Sequence, residues 1–110
     1  MGLRDIFVAL CNGPSIAELS RQLAQRSYAA VREGVGPRTM AYSPAEARGY
    51  VRAKAGPVIR SEARIVAKRH PGLSRANLAT IEAQAGDRVV QTVLADLNRE
   101  RTRQALHRAA

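Results

Sequence analysis

His70-Pro71-Gly72-Leu73-Ser74 lies between two long runs of the chain that are each apolar at helical spacing, and its reading decides the fold. Proline lacks a backbone N–H and glycine loses the most backbone entropy on ordering, so Pro71-Gly72 closes a helix. Ser74 opens another, because a hydroxyl at that position accepts from the first free amides. Upstream, Ala47, Val51, Ala55, Ile59 and Ala63 recur every fourth residue, with Val58, Ile65 and Val66 widening the stripe. Downstream, Ile81, Ala85, Val89, Val93 and Leu97 do the same. Residues four apart share a helix face, and a short connection makes consecutive helices antiparallel neighbours. The expectation is a helical hairpin. In its register Gly56 faces Gly86, where two glycines would let the backbones approach closely.

Working outward, Gly34-Val35-Gly36-Pro37 ends an earlier segment and Asn12-Gly13-Pro14-Ser15 begins it. Ser15-Ile16-Ala17-Glu18 and Ser43-Pro44-Ala45-Glu46 both have the capping-box pattern, in which Glu reaches back to the cap amide. Pro44 also stands at the first helical position, where its missing donor costs nothing. Two interior sites interrupt the long runs. Gly56-Pro57 either kinks or breaks its helix, and the unbroken apolar phase points to a kink. At Gly86-Asp87 the phase again continues, although Asp87 could cap a fresh helix. The adjacent β-branched pairs Val58-Ile59 and Val89-Val90 fall within helical periodicity, and no stretch alternates apolar and polar residues as a strand requires. The chain thus reads as one all-α domain. Residues 1–35 form an N-terminal helix pair, with a short helix near 3–11 and a second from 15. A loop at 36–43 leads to the hairpin at 44–106 and a frayed tail at 107–110, with the N-terminal helices packed across the hairpin.

At 110 residues the chain suits a single core. Its apolar volume is mostly Ala, Val, Leu and Ile; the aromatic residues are Phe7, Tyr28, Tyr42 and Tyr50. Each Ala buries little area, so self-association into a homodimer is one way of covering the remainder. A single cysteine, Cys11, excludes an internal disulfide, and Cys11, His70 and His107 are too few and too scattered for a zinc site. The apolar run at Ile6–Cys11 is too short for a signal peptide, and no run approaches membrane-spanning length. The expected location is the cytoplasm, with no membrane role. There is no glycine-rich phosphate loop, nucleophile elbow or paired acidic motif, so neither catalysis nor a cofactor is expected.

The charge is the informative feature. Eighteen basic residues face nine acidic ones, for a net charge of +9, and all but Lys54 and Lys68 of the basic residues are Arg. A GC-rich genome accounts for Arg in place of Lys and for abundant Ala, but not for the two-to-one excess over acids. Arg forks match phosphate oxygens. The excess concentrates in residues 43–73, where Arg48, Arg52, Arg60, Arg64 and Lys68 recur at multiples of four beside the apolar stripe. Such a row could follow a phosphate backbone; as an alternative it is a solvated helix face. The run Asn98-Arg99-Glu100-Arg101-Thr102-Arg103 is either an arm on nucleic acid or a set of cations complementing a helix C-terminus.

Residues 16–24, Ile-Ala-Glu-Leu-Ser-Arg-Gln-Leu-Ala, resemble the first helix of bacterial helix-turn-helix regulators, with Leu19, Ser20, Leu23 and Ala24 in the positions that support the turn. The resemblance covers about a third of the chain. It implies a recognition helix within Gln25 to Val35, with Arg26, Ser27, Tyr28 and Arg32 available to the major groove. Ala24 stands where that turn usually takes Gly, and Val31 and Val35 fall one residue late. The same residues also fit one uninterrupted helix on Ile16, Leu19, Leu23, Ser27 and Ala30. The functional expectation is nucleic-acid binding, DNA before RNA, through Arg48, Arg52, Arg60, Arg64 and Lys68 with Arg26 and Arg32. The alternative is a helical interaction module for an acidic protein partner.

Overall fold

The structure, a computed structural model, describes residues 15–109, without the side chains of residues 38 and 40. The helix expected near 3–11, Cys11 and the stop at Asn12-Gly13-Pro14 lie outside the described residues. Three α-helices follow in order: α1 (Ile16–Val35), α2 (Pro44–Arg69) and α3 (Arg75–Ala109). Among the described residues there is no strand, and the fold is all-α.

The helix starts follow the cap chemistry. Ser43 Oγ accepts from the Glu46 N–H and the Glu46 carboxylate accepts from the Ser43 N–H, completing the capping box. At Ser15 only the first half forms, with Oγ accepting from the Glu18 N–H at 3.2 Å. Ser74 Oγ accepts from the Asn77 N–H at 3.0 Å and so starts α3. Gly36 closes α1 with φ at 60°, a left-handed conformation that a side chain would disfavour.

The helices run longer than the punctuation suggests. α2 continues through Gly56-Pro57 and α3 through Gly86-Asp87, so Asp87 caps nothing. The segment read as a plain loop contains a 3₁₀ turn, Pro37–Ala41, and α3 extends through the expected frayed tail to Ala109. α1 is also continuous. No turn follows Ala24, so Gln25 to Val35 is not a separate recognition helix and the helix-turn-helix resemblance fails here. The cause is local: Ala24 is a strong helix former, and the buried line runs on through Ser27, Val31 and Val35. Ala30, expected on that line, is exposed.

Each helix packs against the other two. The core consists of Leu19, Leu23, Val31 and Val35 from α1, the Ala47 to Ala63 series with Val66 from α2, and the Ile81 to Leu97 series with Val90 from α3. Polar contacts fix the alignment of α1. Ser20 Oγ lies 2.9 Å from Gln84 Oε1, Tyr28 donates its phenol proton to Asp96, and Arg32 pairs with Glu100 at 2.9 Å. These pairs advance together along both helices, so α1 and α3 run in the same direction. Arg101 Nη2 donates to the carbonyls of Thr39 at 2.5 Å and Tyr42 at 3.0 Å, holding the 3₁₀ turn against α3. Beyond Arg101, residues 102–109 are all exposed.

One core position is a polar orphan. Ser27 is wholly buried on the α1 line, and its hydroxyl has no hydrogen-bond partner among the described residues. Leaving a buried hydroxyl unpaired costs free energy, and Ala is the better helix former. Ser27→Ala should therefore raise unfolding stability by about 1 kcal/mol in urea denaturation; a loss of stability would show that the hydroxyl is satisfied after all.

Candidate nucleic-acid interface

The basic row is built by the phase of α2. Arg48, Arg52, Arg60 and Arg64 each follow directly on a buried residue: Ala47, Val51, Ile59 and Ala63. One residue is about 100° of helix rotation, so burying the first line places the second on its flank. Lys68 continues the row, and all five side chains are exposed. From Arg48 to Lys68 the row extends about 30 Å along the axis.

The five are not equivalent. Arg52 Nη2 lies 3.1 Å from Asp87 Oδ1 on α3, an ion pair in which both side chains are about 60% exposed and which is therefore worth little. Arg60 lays its guanidinium over Gly56. Arg48, Arg64 and Lys68 have no carboxylate partner among the described residues. Nearby, Lys54 lies 5.5 Å from the centre of the Tyr50 ring, which in turn meets Tyr42 edge to face.

Between α2 and α3 there is a groove of about 320 Å³, lined by Ala55, Gly56, Ile59, Ala83, Gly86 and Val90, with Arg52, Arg60, Ala79 and Glu82 around it. It corrects the expectation of two glycines in close contact. A Cβ added at Gly86 would meet nothing within 4 Å, and one at Gly56 would meet only the Arg60 side chain. The glycines open a space instead of closing one, because they lie on the flank of the buried lines and not within them.

The α1 cations are both ion-paired. Arg26 Nε binds Glu62 Oε2 of α2 at 3.0 Å and Arg32 binds Glu100 of α3, so both hold α1 to its neighbours. Tyr28 is likewise engaged, with Asp96, and Ser27 is buried. The expected basic tail is also divided. Arg99 approaches Asp96 at 3.7 Å and Arg101 is committed to the 3₁₀ turn. Neither lies at a helix C-terminus, since α3 continues to Ala109. Sequence reasoning missed Arg101. Its one advance signal was that it falls four residues beyond Leu97, on the buried line of α3.

Among the described residues no group of three or more His, Cys, Asp or Glu could hold a metal ion, and no helix is long and apolar enough to cross a membrane. No family model, curated protein or solved structure matches the chain.

The Tyr28–Asp96 contact makes a prediction about pH. The hydrogen bond to Asp96, then burial and the carboxylate's charge, hold the Tyr28 phenol above its ordinary value of 10.0, against smaller opposing effects from Arg32 and Arg99. A raised folded-state pKa means that the neutral phenol favours the fold. That contribution is complete below about pH 10 and disappears as pH rises through the raised value. Tyr28→Phe should cost about 1–2 kcal/mol at pH 8, and the gap from the parent should close in alkali. A gap constant across that range would rule out the Asp96 contact as its source.

Proposed function

We propose that this protein binds nucleic acid through phosphate contacts from the α2 row Arg48, Arg52, Arg60, Arg64 and Lys68, with DNA the first candidate. It would act in the cytoplasm as a binding protein and not as an enzyme. The supporting frame is an antiparallel hairpin of α2 and α3 with α1 packed along it. The five-residue connection 70–74, the Arg52–Asp87 pair and the shared groove lining are what that arrangement would produce.

The observation that carries the reading is that Arg48, Arg64 and Lys68 are exposed and have no carboxylate partner among the described residues, in a row with Arg52 and Arg60 that winds round α2 beside its buried line. Acidic side chains were available to the fold, and several are used: Glu62, Glu100 and Asp96 all engage basic side chains elsewhere. A row of like charges left without partners costs repulsion, which a polyanion removes. Its length of about 30 Å matches roughly nine base-pair steps. We leave Arg26 and Arg32 out of the proposed contact set, because their ion pairs are partly buried and hold α1 to its neighbours, whereas the Arg52–Asp87 pair is exposed on both sides.

A second reading has one observation in its favour. Leu106 is 68% exposed, on the stretch of α3 past Arg101 where every residue is exposed. An apolar side chain there suits a protein contact, either with an acidic partner or with a second copy as a homodimer.

Salt dependence separates the two. With five phosphates neutralised, the log–log slope of duplex binding should be near −4. Arg48→Gln, Arg64→Gln and Lys68→Gln together should bring it to about −2 without unfolding the protein, since none of the three has an ion-pair partner to lose among the described residues. Arg26→Ala with Arg32→Ala should leave the slope unchanged and lower stability. An unaltered slope in the triple variant, or no binding at low salt, would overturn the α2 assignment. In that event, sedimentation of Leu106→Ser beside the parent would test the interaction reading.

A further inference from the structure

The α2 row has a gap at its centre. Its four-residue step would place a basic side chain at position 56, between Arg52 and Arg60, and Gly56 stands there. Gly86 lines the same groove from α3. Neither glycine is needed by the backbone, since Gly36 has the only positive φ among the described glycines. Nor does any neighbour need the room at Gly86, where an added Cβ would meet nothing within 4 Å. Glycine in the middle of a helix is destabilising relative to alanine. The fold thus keeps open, at its own cost, a groove of about 320 Å³ at the midpoint of its basic edge.

The lining has a particular chemistry. Ala55, Ile59, Ala83 and Val90 with the two glycines give an apolar floor. The Arg60 guanidinium lies along it, with Nη1 3.3 Å from where a Gly56 Cβ would be, and so offers a flat cationic plane. Glu82 supplies an acceptor at the other lip. Arg52, its head paired with Asp87, stands at the mouth.

We infer that this groove receives one unstacked base of a single-stranded nucleic acid whose phosphates follow the α2 row. The inference rests on the nucleic-acid reading and deepens it. Base faces are flat and apolar and stack on guanidinium planes, while ring and exocyclic N–H groups donate to carboxylates. A duplex keeps its bases inside the stack and meets the row through phosphates alone. A single strand can turn a base out into the groove, and each stacked base contributes enough to be seen in affinity.

The experiment compares three labelled probes of about 12 nucleotides: a mixed-sequence single strand, a strand of the same length with abasic sugars throughout, and a duplex. Fluorescence anisotropy is read on the parent, Gly86→Leu, Gly86→Ala and Arg60→Lys. The parent should bind the base-bearing strand about tenfold more tightly than the abasic one. Gly86→Leu fills the groove and should remove that preference, with duplex affinity and melting temperature undiminished. Gly86→Ala should melt higher and retain part of the preference. Arg60→Lys keeps the charge but loses the plane, so the preference should fall while the salt slope stays. Duplex binding with no base preference in the parent would overturn the groove assignment and leave the row standing, and so would a preference that survives Gly86→Leu. Failure of all three probes to bind would overturn both. The parent comparison decides the matter even if a variant does not fold.

Discussion

In each of the three helices the buried residues recur every four positions: Leu19, Leu23, Ser27, Val31 and Val35 in α1, Ala47 to Ala63 in α2, and Ile81 to Leu97 in α3. A step of four overshoots a helical turn by about 40°, so over four steps the line winds about 160° round its helix. A single neighbour could not cover such a line. Two neighbours can, and each helix here has two. The rest of the structure depends on that constraint.

It also determines where the charge can go. A residue directly after the buried line of α2 lies on the flank of that line, and there the chain places Arg at four positions and Gly at one. On α3 three polar side chains, Gln84, Asp96 and Glu100, meet Ser20, Tyr28 and Arg32 of α1. Acidic and polar groups at this seam hold α1 in place, while Arg48, Arg52, Arg60 and Arg64 stand beside the buried line of α2. The asymmetry therefore arises from helix phase as much as from composition.

Much of this was legible in the sequence. Every residue of the four-residue lines of α2 and α3 is buried, and Ser43 and Ser74 start their helices, because these features depend only on local spacing and cap chemistry. The pairing of Arg26 with Glu62 and of Arg32 with Glu100 was not legible. Those partners are 36 and 68 residues away, and which flank of α1 faces which helix is set by the three-way packing. The choice between a turn after Ala24 and one uninterrupted helix was open for a related reason: Leu19, Leu23 and Ala24 suit either, and the burial of Ser27 and Val31 goes with the uninterrupted helix. The groove was hidden because two glycines in register can mean contact or space, and the answer depends on their offset from the buried lines by one residue.

The most direct measurement is an NMR titration following backbone amides and arginine side-chain Nε–H signals as a short duplex is added at low salt. If the α2 edge is the contact surface, the Nε–H signals of Arg48, Arg60 and Arg64 shift first and most, together with amides along 48–68, while those of Arg26, Arg32 and Arg101 stay in place. Shifts centred instead on α1, or on Leu106 and the end of α3, would contradict the account, as would a spectrum that does not change.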